Sequence, residues 1–420
     1  MNDKAVEPGG GKKRVEDLAI FGGSPAFRTE LHVGRPNIGN REQLFRRFNE
    51  VLERKWLTND GPCVKEFEQR ICELLGVRQC VAVCNATAGL EILARALDLS
   101  GEIILPSFTF VATAHALQWL GMKPVFCDLD PATHNLDPKR ARELITERTS
   151  AIIGVHLWGR PCDVAALVDL ACQHHLKLFF DAAHAFACSY HGQFIGGFGD
   201  AEIFSFHATK FINTFEGGAI VTNDVALATR LRLMRNFGFA GLDNVASVGI
   251  NAKMNEVSAA MGLVSLQNLD DFVEANRRNY EAYERHLAAL PSVRLARYGE
   301  KEKCNYQYVV MEVDESRSGV SRDLLDDVLW AENVLTRRYF YPGCHRMEPY
   351  RTADPAAAER LPQTDALAQR VLCLPTGSAI GSTDIATICD LIHFVIQFGP
   401  AIKDRMSMKP LYRHPLRRSH

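Results

Sequence analysis

An Asp and a Lys that lie twenty-nine residues apart are the two side chains of this sequence best placed to do chemistry together. Asp181 directly follows the apolar run 178–180, and Lys210 follows the largely apolar run 203–206. A carboxylate at the end of a buried strand can keep a pyridine nitrogen protonated, and a buried amine can hold an aldehyde as a Schiff base. The pair therefore predicts a site for pyridoxal 5'-phosphate (PLP).

Each of the two residues also has an ordinary structural explanation. An Asp at the end of a strand often caps the following helix, and most Lys side chains lie in solvent. Here, however, His184 follows Asp181 closely, Ser205 precedes Lys210 by five positions, and Glu216 opens a Glu-Gly-Gly run after it. This ordered set favours the cofactor site over two unrelated structural residues.

A turn of small residues earlier in the chain is a candidate phosphate site. The apolar run 80–84 predicts a strand, and the turn 85–89 then leads into a helix. The first N–H groups of a helix lack partners and carry the positive end of its dipole, so they attract anions. Ala86 and Thr87 lie in this turn, and the Thr87 hydroxyl adds a donor. Many such turns bind nothing, so this signal depends on the Asp181–Lys210 pair.

The elements that must position these residues alternate between strand and helix from residue 80 to residue 181. Nearly continuous apolar strands in such an order predict an α/β fold with a mostly parallel sheet between helices. Ligands of these sheets bind at the carboxyl ends of the strands. We therefore expect Asn85, Phe110, His156 and Asp181 at one edge of the sheet.

The pattern divides the chain into four parts. We predict a flexible N-terminal arm at 1–30, a large cofactor-binding domain at 31–270, a small C-terminal α/β domain at 271–400 and a solvated basic tail at 401–420. A single long helical stretch, 255–290, is expected to link the two domains, because its apolar positions keep helical spacing.

Composition narrows the class of protein further. The 420 residues carry a formal net charge of −2, which indicates neither a nucleic-acid partner nor a membrane partner. The twelve Cys are scattered without a disulfide-like spacing, which is typical of reduced thiols. Because no apolar segment is long enough to span a bilayer, we expect a soluble, cytoplasmic protein.

Five stretches, taken together, resemble the DegT/StrS-type nucleotide-sugar aminotransferases. They are 181–185 (DAAHA), 204–210 (FSFHATK), 216–218 (EGG), 251–256 (NAKMNE) and 374–376 (LPT). The resemblance covers about residues 35–398. It implies the PLP-dependent transferase fold of type I, a large domain with a mostly parallel sheet between helices plus a smaller C-terminal α/β domain.

The resemblance also implies a role for each matching residue. Lys210 would bind the cofactor aldehyde, Asp181 would pair with the pyridinium nitrogen, and His184 would lie near the phenolic oxygen. Phe110 would stack on the ring, a use that its π-surface permits. The residues that would hold the phosphate are Ala86, Thr87 and Ser205.

The resemblance also implies that a second subunit contributes to the active site. In the resembling enzymes the loop that matches Asn251 reaches across from a partner, with Lys253 as a further candidate. The resemblance therefore implies a homodimer with shared active sites.

Two departures from the family pattern bear on the substrate. Phe215 stands where the family usually has Gly, and Ala86 replaces another common Gly. This form is similar to enzymes that act on dTDP-4-keto-6-deoxyhexoses, particularly at C4. The implied reaction moves an amino group from L-glutamate, which leaves as 2-oxoglutarate, to a nucleotide-diphosphate ketosugar in two half-reactions, with Lys210 carrying the proton.

The diphosphate of such a substrate needs cations. Arg235, Lys253 and Arg338 are candidates, although for residues of this kind an ordinary salt bridge or surface contact is the more common role.

Other functions stay open at this stage. A sister branch of the family has His at the Lys position and dehydrates sugars, which the presence of Lys210 argues against. Amination at C3 instead of C4 is a second alternative. A cofactor-binding regulator without turnover is a third, and the intact Asp181, Lys210 and Glu216 disfavour it.

Overall fold

Short apolar runs form the strands of a central seven-stranded sheet in the computed structural model, which describes residues 11–299 and 301–408. In chain order the strands of the described residues are β1 (Leu31–His32), β2 (Gln79–Val83), β3 (Glu102–Pro106), β4 (Lys123–Cys127), β5 (Thr149–Val155), β6 (Lys177–Asp181), β7 (Ser189–Tyr190), β8 (Gln193–Phe194), β9 (Ala201–Ser205), β10 (Gly218–Thr222), β11 (Val293–Leu295), β12 (Val309–Val313), β13 (Val334–Leu335) and β14 (Val371–Leu374).

Helices connect most of these strands. In the described residues they are α1 (Arg41–Arg54), α2 (Pro62–Leu75), α3 (Ala86–Ala96), α4 (Val111–Trp119), α5 (Pro138–Glu143), α6 (Val164–His174), α7 (Val225–Arg235), α8 (Glu256–Gln267), α9 (Leu269–Leu287), α10 (Glu315–Ser318), α11 (Arg322–Ala331), α12 (Tyr350–Ala353), α13 (Ala357–Arg360), α14 (Pro362–Ala368), α15 (Ser382–Gln397) and α16 (Gly399–Met408). Short 3-10 helices cover Val15–Asp17, Ala19–Phe21, Leu157–Gly159 and Cys344–Arg346.

The large sheet has the strand order β2-β10-β9-β6-β5-β3-β4, and only β10 runs antiparallel to its neighbours. Successive residues of one strand enter different cores: Val81 packs with α3 and α7, whereas Ala82 packs with α2 and α8. Burial on both faces explains why the strands are continuously apolar rather than alternating. The predicted α/β fold with a mostly parallel sheet is confirmed.

A second, smaller sheet forms the C-terminal domain. Its order is β11-β12-β14, all antiparallel, and α9, α11 and α15 cover it through one apolar core. A break at Asn268 separates α8 from α9, so the single long helix predicted at 255–290 is wrong. The helical spacing continues across this break, and for that reason the pattern alone did not reveal it.

The prediction of a flexible arm at 1–30 is wrong for its described part. Leu18, Ala19 and Ile20 are buried in the core of the small domain, and the backbone of Ala19 donates a hydrogen bond of 2.7 Å to Glu332. Because most residues of this segment are polar, the sequence pattern did not reveal the short apolar run that anchors it. Residues 1–10 of the predicted arm lie outside the described residues.

The predicted solvated tail at 401–420 also begins with structure. Helix α16 continues to Met408, and Ile402 is fully buried against the small domain. Residues 409–420 lie outside the described part of the chain. Within the described ranges, no single helix is long and apolar enough to cross a membrane; α15 and α16 reach that length only as a pair bent by 75°.

Candidate active site

A pocket of about 300 Å³ lies at the carboxyl edge of the large sheet. Asp181 and Lys210, which the sequence separates, both line it. The other predicted site residues that line it are Ala86, Thr87, Phe110, His184 and Ser205. The structure therefore brings seven of the eight predicted cofactor-site residues of this chain together.

Lys210 lies in a turn that follows β9, where its backbone N–H donates to the carbonyl of His207 at 2.8 Å. Burial lowers the pKa of the Lys210 amine to about 8, and the charge of Asp181 opposes this shift. An amine with this pKa is partly neutral near neutral pH. A neutral amine is the form that can attack an aldehyde or accept a proton.

Asp181 is the last residue of β6, and both of its carboxylate oxygens accept hydrogen bonds. The Thr113 hydroxyl donates to Oδ2 at 2.8 Å, and the Ala183 backbone N–H donates to Oδ1 at 3.1 Å. Donors to both oxygens favour the charged form of a buried carboxylate. The side chain is thus suited to face a protonated ring nitrogen.

His184 is held in one tautomer by a neighbouring turn. The backbone N–H of Trp158 donates to His184 Nδ1 at 3.2 Å, so the ring proton lies on Nε2. Trp158 adopts a left-handed φ of 56°, and this conformation belongs to the turn that presents its N–H. Burial and then the charge of Lys210 hold the pKa of His184 well below its ordinary value, so the ring is neutral.

The turn that was predicted to hold the phosphate lies between β2 and α3. Asn85 caps α3 by accepting from the Ala88 N–H at 2.8 Å, which leaves the N–H groups of Ala86 and Thr87 without intrahelical partners. Gly218 explains part of the Glu-Gly-Gly run, because a Cβ there would lie 2.8 Å from the Ala86 nitrogen. The close approach of β10 to this turn requires glycine.

The aromatic side of the pocket contains more rings than the sequence indicated. The Phe110 ring is 58% exposed and lies 6.3 Å from that of Phe340. Phe340 in turn stacks on His184, with ring centroids 5.7 Å apart and planes at 10°. The ring centroid of Tyr308 lies 4.7 Å from that of His184, with the planes at 58°. His184 thus contacts both Phe340 and Tyr308, whereas most of the Phe110 ring is exposed and can cover a flat ligand.

Phe215, the departure from the family pattern, adopts a φ of 63°. Glycine reaches this left-handed region without strain, whereas Phe does so at a cost, which explains the usual Gly. The Phe215 ring packs on Phe48 of α1 at 6.4 Å and is 44% exposed. It lies beside Glu216, which lines the pocket.

Some predicted residues are not in the pocket. His156 follows β5 as expected, but its ring stacks on Phe180 and its Nε2 meets Glu202 at 3.2 Å, away from the pocket. Asn251 lies outside the pocket of its own chain, and it accepts a hydrogen bond from Lys253 Nζ at 2.8 Å. The expectation that His156 shares the edge with Asp181 is therefore wrong for its side chain.

Two of the three candidate cations are already neutralised. Arg235 is buried and paired with Asp60 at 2.5 Å and with Glu68 at 2.7 Å. Arg338 contacts Asp323 at 3.0 Å and Asp326 at 3.7 Å. Both therefore make the ordinary salt bridges that were their alternative explanation.

Sequence reasoning missed several residues that hold the site in place. Thr113 supports Asp181, Trp158 supports His184, and Asn305 donates to the backbone carbonyls of His184 and Phe186 at 3.0 and 2.9 Å. The helical spacing of three between Phe110 and Thr113 could have placed Thr113 near the site. No local signal points to Asn305.

The donor set fits PLP. The pocket offers an amine, a carboxylate with a fixed orientation, a neutral imidazole, an exposed ring face and the N-terminus of α3. These groups correspond to the aldehyde, ring nitrogen, phenolic oxygen, ring and phosphate of the cofactor. The residues that would hold it are Lys210, Asp181, His184, Phe110, Ala86, Thr87 and Ser205.

Comparison with known proteins agrees with this geometry. Residues 39–393 match the DegT/DnrJ/EryC1/StrS aminotransferase family. The chain belongs to this family. A dTDP-4-amino-4,6-dideoxy-D-glucose transaminase of Shigella dysenteriae is 35% identical over 89% of the chain and 99% of its own length, and an Escherichia coli protein of the same name is 33% identical over 86% and 98%.

Solved structures show the same similarity. A crystal structure of DesI in the presence of its TDP-sugar product is 50% identical with a TM-score of 0.88, covering 93% of this chain and 99% of that one. Helicobacter pylori PseC, an aminotransferase involved in pseudoaminic acid biosynthesis, is 27% identical with a TM-score of 0.82, covering 88% and 100%. The chain is thus a PLP-dependent sugar aminotransferase, and the predicted fold, enzyme class and cofactor are confirmed.

Proposed function

We propose that this aminotransferase moves the amino group of L-glutamate to C4 of a nucleotide-linked 4-keto-6-deoxyhexose, with dTDP-4-keto-6-deoxyglucose as the acceptor. The observation that carries the proposal is the pair of transaminases named for the 4-amino-4,6-dideoxy-D-glucose product, which the chain matches over nearly their whole length. The similarity to DesI, crystallised with its TDP-sugar product, supports the same substrate class.

The residues of the site divide the work of such a transfer. Bound PLP supplies the electron sink that makes the α-hydrogen of the amino acid acidic. Asp181 holds the proton of the ring nitrogen, and the neutral His184 can donate through Nε2 without bringing a second cation. Lys210, with its pKa lowered to about 8, removes a proton from one carbon and returns it to another.

The diphosphate of the acceptor needs a cation. None of the three candidate cations lines the pocket of its own chain. Arg235 and Arg338 are neutralised by carboxylates. Lys253 instead contacts the neutral side chains of Asn236 and Asn251, both at 2.8 Å, and its Nζ lies 4.8 Å from the centroid of the Phe237 ring. Within the described residues it forms no salt bridge, so its charge is available to a ligand. We infer that Lys253 and Asn251 serve the site of a second subunit.

A homodimer is therefore part of the proposal. Two surfaces of the chain expose apolar side chains: Phe45, Leu52, Trp56 and Leu57 around α1, and Leu242, Val245 and Val248 in the segment before Asn251. Leu242 and Val248 are 95% and 89% exposed, and with Val245 they place three exposed apolar side chains in one short segment. Exposed apolar side chains that cluster, unlike isolated ones, are typical of surfaces that bind a partner.

Mixing two inactive variants tests the shared site. Lys210→Ala and Asn251→Ala proteins, each with little turnover, are unfolded and refolded together. If the Asn251 of one subunit serves the Lys210 of the other, heterodimers contain one intact site and activity returns. Activity that stays at the level of the separate variants would show that each subunit uses its own Asn251.

The reaction itself is tested by incubating the purified enzyme with L-glutamate and a panel of dTDP-, UDP- and GDP-linked ketosugars. NMR of the product then locates the new amine. We expect 2-oxoglutarate to form with a dTDP-4-keto-6-deoxyhexose and the amine to lie at C4. An amine at C3 would establish the alternative regiochemistry, and absence of transfer to every acceptor by PLP-loaded protein would favour the regulator.

A further inference from the structure

Two buried threonines form a chain of hydroxyl groups that ends on Asp181. Thr109 and Thr113 are 2% and 0% exposed, and their Oγ1 atoms lie 3.0 Å apart. Thr113 Oγ1 lies 2.8 Å from Asp181 Oδ2. Thr113 is the third residue of α4, so the helix backbone fixes its side chain beside Asp181, which lines the pocket.

The direction of these hydrogen bonds follows from counting protons. Thr113 has one hydroxyl proton and three acceptors within reach: Asp181 Oδ2, the Phe110 carbonyl at 3.1 Å and Thr109 Oγ1 at 3.0 Å. A proton directed at the carbonyl or at Thr109 would leave lone pairs of the Thr113 hydroxyl and of the Asp181 carboxylate opposed across 2.8 Å. The Thr113 hydroxyl therefore donates to Asp181 Oδ2, and the Thr109 hydroxyl can then donate to Thr113 Oγ1.

We propose that Thr113, supported by Thr109, is a positioning residue that fixes the orientation of Asp181 and stabilises its charged form for the cofactor's ring nitrogen. With Oδ2 bound to Thr113 and Oδ1 bound to the Ala183 N–H, rotation of the carboxylate would break one hydrogen bond. Hydrogen bonds to a charged acceptor are stronger than neutral ones, and a chain of donors strengthens the last of them. The proposal rests on the cofactor assignment and not on the identity of the sugar.

The binding of PLP to the full-length apoprotein tests this role. Thr113→Val keeps the shape of the side chain but removes the hydroxyl, and we expect it to weaken PLP binding about 10- to 100-fold. Thr113→Ser retains the hydroxyl and should restore the affinity to near the wild-type value. Unchanged affinity in Thr113→Val would overturn the proposal.

A matched control exists elsewhere in the fold. Thr364 is also fully buried, and its hydroxyl donates to the carboxylate of Asp128 at 2.8 Å, outside the pocket. Thr364→Val removes the same kind of hydrogen bond and should lower the melting temperature without changing PLP affinity. An equal loss of affinity in Thr364→Val would mean that any buried hydroxyl–carboxylate pair has this effect, and the proposal would fail.

A PLP analogue with C–H in place of the ring nitrogen separates positioning from packing. It keeps the aldehyde and the phosphate but offers Asp181 nothing to pair with. We expect Thr113→Val to bind the analogue within about twofold of wild type, because the loss is confined to the nitrogen contact. If PLP and the analogue weaken equally, the threonine acts only through packing and the proposal fails.

The supporting role of Thr109 is tested by a double-mutant cycle. Thr109→Val should weaken PLP binding about 2- to 10-fold, since only a neutral hydrogen bond is lost. The double variant should bind within about twofold of Thr113→Val alone, because Thr109 acts through Thr113. Additive losses would show that Thr109 contributes independently and would remove it from the chain.

Discussion

Burial and the charge of Asp181 shift the pKa of Lys210 in opposite directions, and the balance suits transamination. Burial lowers the pKa of the amine, while the nearby carboxylate raises it again. The resulting pKa, about 8, lies closer to neutral pH than the ordinary 10.5 of lysine. The site thereby keeps a reactive amine without giving up the carboxylate that the ring nitrogen needs.

We expect Lys210→Ala to lower amino transfer by more than about 10³-fold, because it removes both the covalent anchor and the proton carrier. The protein should still fold, since the truncation leaves the backbone turn and the buried strands around it unchanged. Steady-state rates and circular dichroism check the two statements. Lys123→Ala, at the start of β4 far from the pocket, serves as the control and should retain the wild-type rate.

The pH dependence of PLP attachment follows from the same amine. Only the neutral form attacks the aldehyde, so the rate of attachment to the apoprotein should rise with pH through about 8 and then level off. Stopped-flow absorbance on either side of that pH measures it, and mass spectrometry after borohydride reduction identifies the lysine. A rate that keeps rising towards the ordinary 10.5 would contradict the lowered pKa.

At the scale of elements, one buried carboxylate joins the N-terminal segment to the small domain. Glu332 follows α11 and accepts from the backbone N–H groups of Ala19 and Ala26, both at 2.7 Å. It also pairs with Lys12 Nζ at 2.9 Å. Strand β1 then pairs with β13, so the segment belongs to the small domain rather than to a free arm.

Replacing Glu332 by Gln should loosen this segment. The amide of Gln keeps one acceptor oxygen, but its NH₂ group faces one of the two backbone N–H donors, and the ion pair with Lys12 is lost. We expect these changes to lower the free energy of unfolding by about 2–4 kcal/mol. Thermal unfolding and limited proteolysis near the N-terminus measure the effect. Glu315→Gln, on the exposed start of α10, should change neither; equal behaviour of the two variants would argue against the anchor.

For the whole molecule, several buried neutral histidines predict sensitivity to acid. Burial lowers the pKa values of His134, His184 and His345 from the ordinary 6.5. The unfolded chain therefore binds more protons than the folded chain below about pH 6.5, and the free energy of unfolding falls as pH falls. His134 contributes although Glu312 lies 3.5 Å from its Nε2, because desolvation outweighs that charge.

His134→Gln tests this statement without touching the pocket. Between about pH 6.5 and pH 4.5, the free energy of unfolding of the variant should fall by about 1–3 kcal/mol less than that of wild type. The reason is that the unfolded variant has one histidine fewer to protonate. Urea unfolding of the apoprotein at several pH values provides the comparison. Parallel pH profiles for the two proteins would show that His134 is not among the groups responsible.

Local sequence patterns were sufficient to predict much of the fold and many of the pocket residues. The alternation of apolar strands and helices from residue 80 to residue 181 predicted the mostly parallel sheet, because each strand is buried on both faces. The pocket residues from Ala86 to Lys210 were also identified, since each lies in a short motif at the end of a strand. The N-terminal anchor was missed because its few apolar residues stand among polar ones.

The sequence by itself determined the chemical groups of the site, because a strand end or a helix start fixes the position of a side chain through local backbone geometry. Only the tertiary structure decided what holds those groups in place. Thr113 lies 68 positions from Asp181, Trp158 lies 26 from His184, and Asn305 lies 121 from it. Contacts over such separations depend on how whole elements pack, and no local pattern records that packing.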